Sequence, residues 1–458
     1  MISAAQVDAT VTKLMKAAEV PGLGLAIIND GRVVYLKAYG YRDTATKQPL
    51  TPNSIFTAAS LIKVAFGYLV MRLVDEKVLD LDKPIAQYLA KPLPEYDRYR
   101  DLAGDQRWKK ITARMLLSHT AGFPNWRAFT HDRKLHIFFE PGTRFAYSGE
   151  GIDLLQMVVE EVTKKPLEQL MQDYVFQPLH MDQTSMMWQP RFEADFANGY
   201  DEYGRSLGPE RRKRADAAGS MQTTTSDFAK FVQAVLACKG LSSHACAEMF
   251  RPQIAITSKH EFPSLENVST DENRAIKLSY GLGWGLYWTP YGEAFFKEGH
   301  DEGWRNYTVC FPQKKSGIVI MTNSSNGEGI YKDLLEKLQR NTFTPIEWEG
   351  FTPYEKLPPR PPLKTHTVAH LDSKMLDRYA GQYTAEGMPG VLTVKRTGDH
   401  LSVQENDETP QELLAESEVD FFSTSSNDTC TFEVAGDGKV TGVVLHLDGR
   451  DVSIRKVK

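Results

Sequence analysis

The chain has 458 residues, 41% of them hydrophobic, with 54 Lys and Arg against 59 Asp and Glu and a formal net charge of −5. That length can bury a large core and exceeds an average single domain, while the negative balance argues against a nucleic-acid binder. No apolar run reaches membrane-spanning length, so no membrane span is expected.

The opening residues, Met1-Ile2-Ser3-Ala4-Ala5-Gln6, show no charged segment followed by an apolar one, as a secretory leader would. Location stays open: periplasmic or secreted if a leader was removed, otherwise cytoplasmic. A helical pattern near Val7 to Ala18 precedes a strand pattern, Leu23 to Ile28. A turn at Asn29-Asp30-Gly31 then leads to a return strand, Val33 to Lys37. A long, mostly helical middle follows. From Tyr280 the pattern returns to strands and ends in an amphipathic helix near Ile330 to Arg340. Helices inserted between two groups of strands give an antiparallel sheet flanked by helices.

Pro345, Pro353, Pro358, Pro359, Pro361 and Pro362 form a density that neither helix nor strand tolerates. Residues 1–344 are therefore one domain, 345–369 a linker and 370–458 a second domain. The last segment alternates short apolar runs with Gly, Asp and Asn turns, the spacing of a small β-barrel or sandwich. Residues 371–458 carry nine Lys or Arg against sixteen Asp or Glu, so the acidity sits there. This domain could cover an active site, make an oligomer contact or stabilise the chain.

Ser60-Leu61-Ile62-Lys63 places a hydroxyl and an amine one helical turn apart, at the start of the apolar run Val64 to Val74. In that geometry Lys63 can take the proton of Ser60. By itself the tetrapeptide says little, since S-x-x-K arises by chance about twice in such a chain. Ser453-Ile454-Arg455-Lys456 is such a copy, in a strand pattern that puts Ser and Lys on opposite faces. The first copy has company: Tyr147-Ser148-Gly149 before a helical run, and Gly299-His300-Asp301-Glu302-Gly303-Trp304 before a strand run.

Ser-x-x-Lys, then Tyr-x-(Asn/Gly), then (Lys/His)-x-x-Gly is the motif order of the penicillin-recognising serine hydrolases. The chain resembles that superfamily, most closely the esterase and D-peptidase branch related to class C β-lactamases. Leu116-Leu117-Ser118-His119-Thr120-Ala121-Gly122, Asp216 to Asp227, Tyr280-Gly281-Leu282-Gly283-Trp284 and Asn323 resemble further family phrases, in order, over roughly residues 5 to 340. The resemblance implies an α+β fold: a β-lactamase-like antiparallel sheet flanked by helices, with an all-helical subdomain. The C-terminal segment is similar to the lipocalin-like β-barrel that some of these hydrolases carry.

The resemblance also implies roles. Ser60 is the nucleophile, and Lys63 and Tyr147 are its proton-transfer partners. The backbone N–H groups of Ser60 and Gly303 form the oxyanion hole. His300 stands where β-lactamases usually carry Lys, and either contacts substrate, hydrogen-bonds Tyr147 or is a structural histidine. His119 is a scaffold residue in the resembled phrase. Gly149 stands where β-lactamases have Asn, so weak or no β-lactam hydrolysis is expected. Glu302 replaces a Gly and brings a carboxylate towards the cleft, where it can repel acids, attract an amine or point away.

No His, Cys, Asp or Glu cluster has ligand spacing, so no metal or organic cofactor is implied. Cys238 and Cys246 bracket a short turn and are either bridged or free thiols, whereas Cys310 and Cys430 read as small buried hydrophobes. The basic run Arg211 to Arg214 reads as a solvated loop. The functional expectation is a serine hydrolase acting on a small ester or peptide, either monomeric or a homo-oligomer. The rival is a catalytically idle sensor or scaffold, and the presence of Ser60, Lys63 and Tyr147 together favours the enzyme.

Overall fold

Alternation of apolar side chains along the central strands produces a sheet that is buried on both faces. On the strand Trp304–Phe311, Trp304 and Cys310 point into one apolar cluster, whereas Tyr307, Val309 and Phe311 point into the other. The structure is a computed structural model that describes residues 2–360, 362, 365–384, 391–405, 410–424, 428–447 and 450–457. Nine antiparallel strands form the sheet, in the spatial order Gln48–Pro49, Arg32–Asp43, Gly22–Asn29, Ser316–Thr322, Trp304–Phe311, Gly292–Asp301, Gly285–Thr289, Ser279–Tyr280 and Ile254–Ala255. The N-terminal strands thus pair with the C-terminal ones, Leu25 opposite Ile320, and the helical middle is inserted between them.

One face of the sheet packs on the helix Ala4–Ala17 and the residues around Tyr331 and Leu334. The other face carries the inserted helices. Ile62–Asp75 is buried almost all round, as an apolar helix without a polar face must be. Gly149–Thr163 and Thr225–Leu236 pack in the same cluster. Cys238 and Cys246 are joined in a disulfide with Cα atoms 5.8 Å apart, and Cys310 and Cys430 are buried. Among the described residues no helix is long and apolar enough to cross a membrane.

Beyond the sheet, eight short strands from Gly381–Thr384 to Arg450–Lys456 close into a barrel, with Tyr383 paired to Lys456. The second S-x-x-K copy lies on the last barrel strand, as its alternation predicts. The expected linker begins too early: Ile346, Trp348 and Phe351 are buried in the core beside Tyr307 and Tyr331. Prolines there shape an irregular segment that still buries aromatic surface on the first domain. Pro361 lies outside the described residues.

Candidate active site

Ser60 sits in a single 3-10 turn, Ala59–Leu61, that opens the buried helix. Ala59 before it has φ +48°, a left-handed conformation unusual for a residue with a side chain and often found where function fixes the backbone. One turn on, Lys63 has a relative exposure of 1%. Its Nζ donates to Ser60 Oγ at 2.8 Å and to the Ala218 carbonyl at 2.5 Å. Burial, and after it the charge of Lys297, lower the Lys63 pKa to about 7. A lysine in that state is available as a base near neutral pH.

Tyr147 lines the same cleft, with Ser60 near its hydroxyl. Burial and the Glu298 carboxylate hold that hydroxyl well above the usual tyrosine range, so it is a neutral phenol. The ring lies between two ammonium groups, Lys63 Nζ at 5.2 Å and Lys297 Nζ at 4.7 Å from its centroid. His119 packs on it with ring centroids 4.4 Å apart. The His119 Nδ1 accepts from the Ser148 N–H at 3.2 Å, and burial followed by Lys297 and Lys63 keeps the imidazole neutral. It packs as a wedge between Tyr147 and the Tyr280 ring.

Lys297 is the residue that sequence reasoning missed. Fully buried on the strand Gly292–Asp301, it donates to the Tyr147 hydroxyl at 3.2 Å and pairs with Glu298. The signal was present as Lys297-Glu298-Gly299, a Lys-x-Gly three residues ahead of His300. Gly299 fits because a Cβ there would collide with the Ala58 carbonyl beside the nucleophile turn. His300 does not hydrogen-bond Tyr147: it is half exposed, lines the cleft and lies 3.2 Å from Glu328.

Gly303 is also placed differently from expectation. The strand reverses within two residues, with Asp301 opposite Trp304, and Gly303 at φ +76° belongs to that turn. Its N–H donates to Ser325 Oγ at 2.9 Å, away from Ser60. Glu302, on the same turn, is exposed on the rim of the cleft.

Gly149 has a local cause. A Cβ at this position would overlap the Trp126 indole, which packs directly on the glycine. Beside it, Asn125 Oδ1 accepts from the Gly149 N–H at 3.0 Å. Ser148 caps the helix, accepting from the Gly151 N–H, and donates to the Pro124 carbonyl.

The cleft holding Ser60, Lys63 and Tyr147 has a volume of about 1850 Å³, larger than a drug-sized pocket. The basic run lines it rather than standing clear in solvent: Arg211 pairs with Glu193 at 2.9 Å and Arg212 lies 3.4 Å from Asp301. Gln382, Thr393, Gln411 and Thr424 of the barrel line it as well. Deeper in, Glu261, Glu298 and Glu349 gather beside Lys297. Burial and the Glu298 charge push the Glu261 and Glu349 carboxyls well above the usual range.

Residues 7–340 match the Beta-lactamase family model, and residues 365–456 match a domain of unknown function, DUF3471. A Yersinia enterocolitica protein named beta-lactamase is 24% identical over 362 residues, which cover 70% of this chain and 86% of that protein. Protein flp of Staphylococcus aureus (strain MRSA252) is 23% identical over 339 residues, 69% of this chain but 62% of flp. The octameric penicillin-binding protein homologue from Pyrococcus abyssi superposes with a TM-score of 0.61 at 20% identity, over 99% of this chain and all of that one. The D-alanine carboxypeptidase AmpC from Burkholderia cenocepacia gives 0.59 at 21%, over 74% of this chain and all of its own. Identities this low establish the fold. The family match spans the serine, the lysines and the tyrosine, and the chain therefore belongs to the beta-lactamase family of serine hydrolases, with a C-terminal DUF3471 domain folded as an eight-stranded barrel.

Proposed function

We propose that the chain cleaves ester or amide bonds through an acyl-enzyme on Ser60, in the manner of an esterase or D-peptidase, with weak or no action on β-lactams. The observation that carries this reading is the buried Lys63 ammonium, 2.8 Å from Ser60 Oγ and shifted to a pKa of about 7. Lys63 in its neutral form takes the Ser60 proton as Oγ attacks the carbonyl carbon. Tyr147, a neutral phenol, acts as donor: it passes its proton to the leaving oxygen or nitrogen and takes back the one that Lys63 accepted from Ser60. Lys297 holds its hydroxyl and steadies the negative charge that develops there.

The oxyanion hole is assigned to the backbone N–H groups of Ser60 and His300. Asp301 and Trp304 close a two-residue hairpin, so the N–H of Asp301 faces the partner strand and that of His300 faces the outer edge. Pairing with the neighbouring strand on that edge stops at Phe296, and residues 59–61 pack there instead.

Substrate preference follows from the Trp126 indole, which occupies the space a side chain at 149 would need. The amide of Asn125 lines the cleft beside it and is the replacement hydrogen-bonding group for the acyl portion. A cleft walled by the barrel suits a short substrate or a chain end. The whole-chain likeness to an octameric protein supports self-assembly of this chain as well, and light scattering in solution would reject it by returning a monomer mass.

A fluorophosphonate probe will add once to the wild-type chain and not to Ser60→Ala, and p-nitrophenyl acetate turnover will fall by about 10⁴-fold or more in the variant. Equal labelling of both proteins would place the nucleophile elsewhere. Gly149→Asn alone will fold poorly because of Trp126. Combined with Trp126→Ala it will fold and acylate with penicillin faster than wild type, by about tenfold for one added hydrogen bond to the bound amide. An unchanged penicillin rate in the folded double variant would remove Trp126 as the determinant.

A further inference from the structure

Behind Tyr147 the fold assembles three carboxylates that acyl transfer does not use. Glu261 comes from the loop after Ile254–Ala255, Glu298 from the strand beside Ser60, and Glu349 from the segment that leaves the first domain. One oxygen of each lies within 4.8 Å of the others, and relative exposures are 2%, 6% and 5%. Glu298 is paired with Lys297, and Glu349 Oε2 accepts from the Tyr307 hydroxyl at 2.5 Å. Glu261 Oε2 and Glu349 Oε1, shut off from solvent, have no hydrogen-bond partner among the described residues.

The occupant can be deduced from charge, size and donor type. Burial and mutual repulsion raise the Glu261 and Glu349 carboxyls, and ionising all three carboxylates leaves two negative charges beyond the Lys297 ammonium, an excess that one divalent cation balances and one ammonium does not. Glu261 and Glu349 line the floor of the cleft, but their orphan oxygens are turned away from solvent, so the space between them suits a monatomic ion better than an organic amine. A monatomic ion bound at roughly 2.0–2.6 Å from each oxygen spans the observed separations. With no His or Cys in the set, the donors are all hard oxygens, which suit Mg²⁺, Mn²⁺ or Ca²⁺.

We propose that Glu261, Glu298 and Glu349 bind one hard divalent cation behind the catalytic tyrosine. An ion on Glu298 competes with Lys297 for that carboxylate and leaves the ammonium to Tyr147, which links occupancy to the catalytic network. Sequence spacing holds no trace of this site, since its three ligands come from separate segments that meet only in the folded chain.

The test is titration of Mn²⁺ into the EDTA-treated full-length chain, following free Mn²⁺ by electron paramagnetic resonance and unfolding by calorimetry. One ion bound per chain is expected, displaced by Mg²⁺ or Ca²⁺, with a raised Tm that EDTA reverses. Glu261→Gln with Glu349→Gln should weaken binding by about tenfold or more. If that pair does not fold, Glu349→Gln alone serves, and the wild-type stoichiometry decides independently. No stoichiometric binding at up to about 1 mM Mn²⁺ would overturn the proposal, the carboxylates then sharing protons. Undiminished binding in the variants would overturn it too, by placing the ion elsewhere.

Discussion

Two lysines share the interior beside one tyrosine, and the chemistry of this site depends on that crowding. Lys63 and Lys297 approach the Tyr147 ring, Lys63 already stripped of water by the helix it sits on. Desolvation is the larger cause of the depressed Lys63 pKa, and repulsion by Lys297 is the next. Lys297 retains a carboxylate neighbour in Glu298, whereas Lys63 has a hydroxyl and a carbonyl. Those partners are consistent with the proposed division of labour, Lys63 as base and Lys297 as the neighbouring charge.

The surrounding fold serves this arrangement. The 3-10 turn at Ser60 and the buried helix it opens set Ser60 and Lys63 side by side, the strand Gly292–Asp301 delivers Lys297 and the edge at His300, and the turn before Gly149–Thr163 delivers Tyr147. His119 and Trp126 are packing residues with functional consequences: the first holds the tyrosine, and the second removes the space for a side chain at 149. The barrel supplies a wall of the cleft, so what it admits is set jointly by both domains.

Much of this was legible in the sequence. Alternating strands and the proline-dense segment pointed to the antiparallel sheet and the barrel, because period encodes local geometry, whereas the grouping of Ser60, Lys63 and Tyr147 was implied by the resemblance of the motif order to the family. Contacts between distant segments were not legible. Lys297 precedes the histidine that attracted attention, and only the register of the hairpin shows that its ammonium reaches Tyr147 while Gly303 turns away to Ser325. Trp126 against Gly149 and the meeting of three glutamates are equally tertiary facts. Ile346 to Phe351 look like linker by proline content, yet their aromatic side chains find the core.

The pH dependence of Ser60 acylation by the fluorophosphonate probe, in wild type and Lys297→Met, tests the central claim most directly. Only neutral Lys63 can accept the proton, so the rate should rise with pH through a midpoint near 7 and level off above it. Removing the Lys297 charge should move that midpoint upward and slow acylation by about 10²-fold. A midpoint near the ordinary lysine value of about 10.4, or one that Lys297→Met leaves in place, would contradict the account.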